Sequence, residues 1–210
     1  FWGCDFSLTI DSAARLTRAE PVRAEVLAPG FAMAAAANRI LGQQRRAGEL
    51  WQQAEFYRHQ IGNDFGALDT LRTMAWVRYV VGDHEKAGQL AMEALPLGLR
   101  HTAHYPLMSL LVILSELALE QGHDGDATFF LGEADTLVGM NVLLPRRDLL
   151  LYHARMAETS TEHGLNATEL LAAEEAALPG EEALRRFRTL PVFARVRGRI
   201  ASLTVDASGA

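Results

Sequence analysis

Forty residues separate Gly42 from Gly82, and forty more separate Gly82 from Gly122. Each glycine is followed by two alanines at fixed spacing: Ala47 and Ala54, Ala87 and Ala94, Ala127 and Ala134. The shared pattern is G-x4-A-x6-A. Three copies at one period mean that one supersecondary unit is used repeatedly, each copy burying its apolar face against the next. A fourth copy is looser. Gly164 follows 42 residues after Gly122, Glu169 stands where the middle alanine is expected with Ala167 nearby, and Ala176 takes the last place.

The spacing has a direct physical reading. A residue without Cβ can take the left-handed conformation that a tight interhelical turn requires. Alanines seven apart fall on one face of the following helix, two turns apart, and let it approach a neighbour closely. The segment before each glycine is apolar at helical spacing: Leu71, Met74, Ala75 and Tyr79 in one copy, Leu111, Leu114, Ser115 and Ala118 in the next. Each unit therefore reads as a first helix, a glycine turn, a second helix and a connector.

"GDHEKAGQLAMEAL" resembles the second-helix signature of a tetratricopeptide repeat, with Gly82 at the turn and Ala87 and Ala94 at its two small positions. The small residue of the first helix is matched by Ala35, Ala75, Ser115 and Ala157. The bulky residue four earlier is matched by Phe31, Leu71 and Leu111, and His153 departs from it. The period is longer than the family's usual one, which is similar to the arrays of bacterial LuxR-type (MalT-like) regulators. The resemblance spans about residues 28–178 and implies an all-α chain: a right-handed α-solenoid of about four such units, turning at Gly42, Gly82, Gly122 and Gly164. Residues 1–27 read as a partial repeat or cap, 179–203 as arginine-rich capping helices and 204–210 as a tail.

The family's groove positions, carried over, are Ala32, Ala36 and Arg39 in the first copy, Arg72, Trp76 and Tyr79 in the second, and Val112, Glu116 and Leu119 in the third. Ala154, Glu158 and Glu162 complete the set. Trp and Tyr are frequent interface anchors, and a carboxylate beside them favours a cationic group. The alternative is that Trp76 and Tyr79 fill space between repeats. The residues with which some members clamp a C-terminal carboxylate are not reproduced, so binding of a chaperone tail is not expected.

Residues 181–200 hold six arginines, Arg185, Arg186, Arg188, Arg195, Arg197 and Arg199, around an apolar stripe of Leu184, Phe187, Leu190, Phe193, Val196 and Ile200 that Pro191 interrupts. They read either as a final helix pair with solvated arginines or as a basic patch. The chain as a whole carries a formal charge of −6, which disfavours general polyanion binding, and no recognition helix is visible. Nucleic acid is therefore not an expected partner of this segment.

Other chemistry finds little support. One cysteine, Cys4, excludes an intramolecular disulfide framework and a cysteine zinc site; no secretory signal is visible, so a reducing cytoplasm is the expected setting. His101 and His104 lie three apart without a third ligand. His84 and His123 follow turn glycines, and His153 reads as a core histidine. No phosphate-binding glycine loop or nucleophile elbow is present. Acidic pairs such as Glu174/Glu175 and Glu181/Glu182 read as helix surface. No apolar stretch reaches the roughly 18 residues that span a bilayer. Neither a cofactor nor a metal is expected. The sequence points to a recognition module for a protein or peptide, for other domains of a parent chain, or for a small-molecule effector. The start at Phe1 suggests a fragment of a longer protein or a processed start, and the resemblance implies that the parent is a larger bacterial regulator. A stand-alone adaptor is the second reading and an enzyme on helical repeats the third.

Overall fold

The computed structural model describes residues 6–16, 23–139, 146–157 and 161–208. Every regular element among them is an α-helix. They are α1 (Phe6–Leu16), α2 (Ala24–Ile40), α3 (Gln44–Arg58), α4 (Asp64–Val80), α5 (His84–Arg100) and α6 (His104–Glu120). The remainder are α7 (Asp124–Gly139), α8 (Arg146–Met156), α9 (Thr161–Ala176), α10 (Glu181–Thr189) and α11 (Pro191–Ser208).

The forty-residue unit is a helical hairpin. α2 packs on α3, α4 on α5, α6 on α7 and α8 on α9. The first helices also stack in chain order, α2 on α4, α4 on α6 and α6 on α8. At three turns the glycine is left-handed: φ is +79° at Gly42, +78° at Gly82 and +75° at Gly122. The next amide donates to the carbonyl five residues back, Gln43 to Asn38 (2.8 Å), Asp83 to Arg78 (2.9 Å) and His123 to Ala118 (2.9 Å). That bond closes a Schellman cap and satisfies a helix-end carbonyl.

A Cβ at Gly82 would meet nothing within 4 Å, so backbone conformation alone demands glycine there. Gly82→Ala is expected to cost about 1–2 kcal/mol, lowering Tm by about 2–8 °C for a chain of this size. Gly48, exposed inside α3 with equally open space, is the internal control. Its change to Ala should stabilise by about 0.5–1 kcal/mol. Thermal melts of the two variants that move in the same direction would refute the assignment.

All six patterned alanines are buried, Ala54, Ala87, Ala94, Ala127 and Ala134 essentially completely. Ala35, Ala75 and Ser115 are equally buried on the first helices, and the Ser115 hydroxyl donates to the Ala127 carbonyl across its hairpin (2.9 Å). The fourth hairpin differs from the sequence expectation. Gly164 lies inside α9, not at a turn. The buried small residue of α9 is Ala167, and Glu174 is buried seven residues on. These follow Ala127 and Ala134 by forty residues, so the period does not lengthen. Packing phase depends on which face of the helix is buried, and a glycine two residues out of register does not reset it.

The core has two layers. One lies between the helices of the hairpins and includes Leu50, Leu68, Met74, Leu90 and Leu110. The other lies between the first helices and the C-terminal pair, joining Trp76, Tyr79, Leu111 and Leu150 to Phe187, Phe193, Val196 and Ile200. Pro191 opens α11 at its first residue, where a missing N–H costs nothing. α11 continues through Ser208, beyond the expected start of a tail at 204. It lies against α4, α8 and α9, and Arg186 of α10 reaches the Phe6 ring of α1 (5.7 Å).

Candidate functional site

Two neighbouring sites are built on the first helices. At the first, α11 presents Arg195 and Arg199, one turn apart on one face, to α4 and α6. Glu116 is 2% exposed. Arg199 grips both its oxygens, Nη1 to Oε1 at 2.6 Å and Nη2 to Oε2 at 3.2 Å, and the Tyr79 hydroxyl donates to Oε2 (3.2 Å). Arg195 donates to the Tyr79 oxygen (3.0 Å) and pairs with Glu120 (2.9 Å). His84 Nδ1 lies 2.5 Å from the other Glu120 oxygen. Burial, then the Glu116 charge, pushes the Tyr79 hydroxyl well above the ordinary phenol range, so it remains a neutral donor.

The second site is a cavity of about 350 Å³ between α4, α6, α8 and α9. Arg72, Thr73, Trp76, Tyr105, Arg146, Arg147, Asp148 and Glu174 line it. Asp148, almost wholly buried, accepts from Trp76 Nε1 (2.6 Å) and Ser109 Oγ (3.2 Å). Arg72 is held by Asp69 (2.8 Å) and stacks 4.8 Å from the Tyr105 ring centre. Arg147 pairs with one oxygen of Glu174 (2.6 Å), and Arg146 reaches the other at 4.0 Å.

Burial raises the Asp148 carboxyl above its ordinary value of 3.8, against the opposing pull of the Trp76 N–H, Arg72, Ser109 and Arg147. A carboxyl raised on folding contributes stability that is complete below 3.8 and is lost as pH rises through the folded value. Asp148→Asn keeps an acceptor for Trp76 and cannot ionise. The variant should therefore be the more stable chain at pH 7, its advantage over wild type shrinking as pH falls towards 4. Urea midpoints across that range test this, and parallel profiles for the two chains would count against it.

The structure brings Arg72, Trp76, Tyr79 and Glu116 to one side of the stacked first helices, where α11 and the cavity cover them. Trp76, Tyr79 and Glu116 are buried, so they form no open groove. Arg39 stands apart, 3.8 Å from Asp83 in the turn of the second hairpin. Glu162 is exposed in the first turn of α9, on a second helix. Glu158 lies outside the described residues. The six arginines form no continuous unpaired surface. Arg185 and Arg186 share Glu182 (2.8 Å each), whose carboxyl they hold down to about 2. Arg188 (2.6 Å) and Arg197 (3.8 Å) share Glu175. Arg195 and Arg199 face the first helices.

Asp148, Arg146, Arg147 and Tyr105 were not singled out from the sequence, and Glu174, read there as helix surface, is instead buried against the cavity because it occupies on α9 the packed position that Ala134 holds on α7. A signal for two of them was present. Leu68, Met108 and Asp148 are spaced by forty residues, as are Ala134 and Glu174. In both series a carboxylate takes over a core position, and both carboxylates face the cavity.

Among the described residues no cluster of three or more metal-ligating side chains occurs, and no helix is long and apolar enough to cross a membrane. His153 and His163 approach through their Nδ1 atoms (2.8 Å), and burial followed by His163 lowers the His153 pKa. No protein-family model matches the chain, and neither the curated proteins nor the solved structures provide a match.

Proposed function

We propose that the chain is a recognition module: a right-handed α-solenoid of tetratricopeptide-like hairpins whose first helices receive a helix, a peptide or a small effector. The observation that carries this reading is the seating of α11. An amphipathic helix with Arg195 and Arg199 one turn apart, flanking Val196 and Ile200, is held by Tyr79, Glu116 and Glu120. An apolar helix face fixed by two charge-assisted contacts is how helix-in-groove recognition is built. The repeated hairpins support the tetratricopeptide-like assignment. A place within a larger cytoplasmic regulator, where the array answers to neighbouring domains, fits the same surface, and a self-contained adaptor is the second use of it. The role is binding without catalysis.

Parallel capture from cell extract tests the reading, with the chain and its Arg195→Glu/Arg199→Glu variant as baits. Charge reversal sets two carboxylates against Glu116 and Glu120 and loosens α11. A partner retained by the variant and weakly or not at all by the parent chain supports recognition on this face. Equal capture by both places binding elsewhere. Failure of the variant to capture any partner, while its hairpins remain folded by circular dichroism, rejects the reading.

A further inference from the structure

A second cavity adjoins the Asp148 cavity along α4, the two sharing the Tyr105 wall. Phe65, Leu68, Asp69, Arg72, Thr73 and Trp76 form one stripe along α4, at spacings of three and four residues. The later three line the arginine-bearing cavity. The earlier three line the second, of about 420 Å³, walled also by Ala103, His104 and Pro106. Tyr105 lines both. The stripe from Phe65 to Trp76 extends about 16 Å at the helical rise.

The two ends differ in chemistry. The Phe65 end is walled mainly by carbon, and Phe65 stands there 64% exposed, a large apolar side chain in contact with water. The other end gathers three guanidinium groups. Arg146 and Arg147 both approach Glu174, and Arg146 is 58% exposed with the Glu174 oxygen 4.0 Å away. Asp148 faces the same cavity and accepts from Trp76 and Ser109 through one oxygen. Arg72 is engaged by Asp69 and Arg147 by Glu174, so Arg146 supplies the open donors at one end, and apolar surface lies at the other.

We propose that this furrow binds a small amphipathic anion, an unbranched acyl carboxylate, with its chain along Phe65, Leu68 and Pro106 and its carboxylate between Arg72 and Arg146. The Arg146 fork supplies charge-assisted bonds to the head, with the Arg72 charge beside it, and the apolar cavity supplies affinity that grows with chain length. This deepens the small-effector part of the recognition reading and adds a site separate from the α11 contact.

Calorimetric titration of the full chain with sodium decanoate, below its micelle concentration, is the test. Octanoate, hexanoate and 1-decanol serve as comparators. Saturable decanoate binding is expected, with affinity falling about two- to fourfold per methylene removed and at least tenfold weaker binding of 1-decanol. Arg146→Gln, at an exposed position, should weaken decanoate about fivefold or more and leave 1-decanol unchanged. Phe65→Ser should flatten the chain-length series. Equal affinity for decanoate and 1-decanol, no dependence on chain length, indifference to Arg146→Gln, or no saturable binding would each overturn the proposal. Neither Arg146 nor Phe65 takes part in the Arg195–Arg199 contact, so those failures would leave the α11 capture result standing.

Discussion

Arg199→Ala is expected to lower the stability of the chain by about 3–5 kcal/mol, the cost of leaving a buried charge without its partner. Glu116 cannot turn to water, because α11 covers it and its neighbours on α6 are packed. Without Arg199 (2.6 Å and 3.2 Å) it retains the Tyr79 hydroxyl, one neutral donor for a full charge. The companion variant Arg199→Met/Glu116→Leu removes both charges and should recover most of the loss, since an apolar pair of similar volume avoids the desolvation penalty. Urea titration gives the magnitude, and hydrogen exchange locates it: amides of 191–200 should lose protection before those of α4 and α5. A cost below about 1 kcal/mol would mean that the contact behaves as a surface ion pair.

The second large effect is expected at Phe193. Its ring stacks on Phe187 with centroids 4.1 Å apart and planes 25° from parallel, and both rings are fully buried. Phe193→Ala removes the pair's packing and leaves a cavity that helices on three sides cannot collapse into, at about 3–5 kcal/mol. Arg147, whose guanidinium lies 5.8 Å from both ring centres, loses part of its support as well. Phe193→Leu should cost a fraction of this. If Phe193→Ala destabilises no more than Phe193→Leu, then α10 and α11 are not fastened through these rings. Since Arg199 and Phe193 act on the same helix, their effects should not add.

What could be read from the sequence is what is local. A left-handed turn at Gly42, Gly82 or Gly122 needs only its own residue and the helix end before it, so the hairpins were legible. The alanine pairs were legible because a two-turn spacing on one helix needs no knowledge of the partner. The fourth unit misled because Gly164 drew the turn towards itself, while burial followed Ala167 and Glu174 at the unchanged period. The fate of the arginines was hidden for another reason. Arg195 meets Tyr79 across 116 residues and Arg199 meets Glu116 across 83, and no local pattern states such a pairing. Trp76, Tyr79 and Glu116 could be placed together on the first helices. That they would be covered by α11 could not be seen, since an amphipathic helix does not announce which face receives it. The cavity was missed because Asp148 and Glu174 look like ordinary helix-surface acids until they are set against Met108 and Ala134.

The long reach of α11 has a consequence for the order in which the molecule takes shape. Hairpins made of neighbouring segments close early, because little chain entropy opposes them. The contact between Tyr79 and Arg195 must wait for the 116 residues between them. On the ribosome, at roughly 5–20 residues per second, that interval is on the order of ten seconds. During it α4 and later α6 have formed, and Glu116 and its apolar surroundings lie open. A nascent chain thus exposes this face of its first helices before α11 arrives to cover it. That interval is when a competing helix from a chaperone or an assembling partner would meet the least resistance.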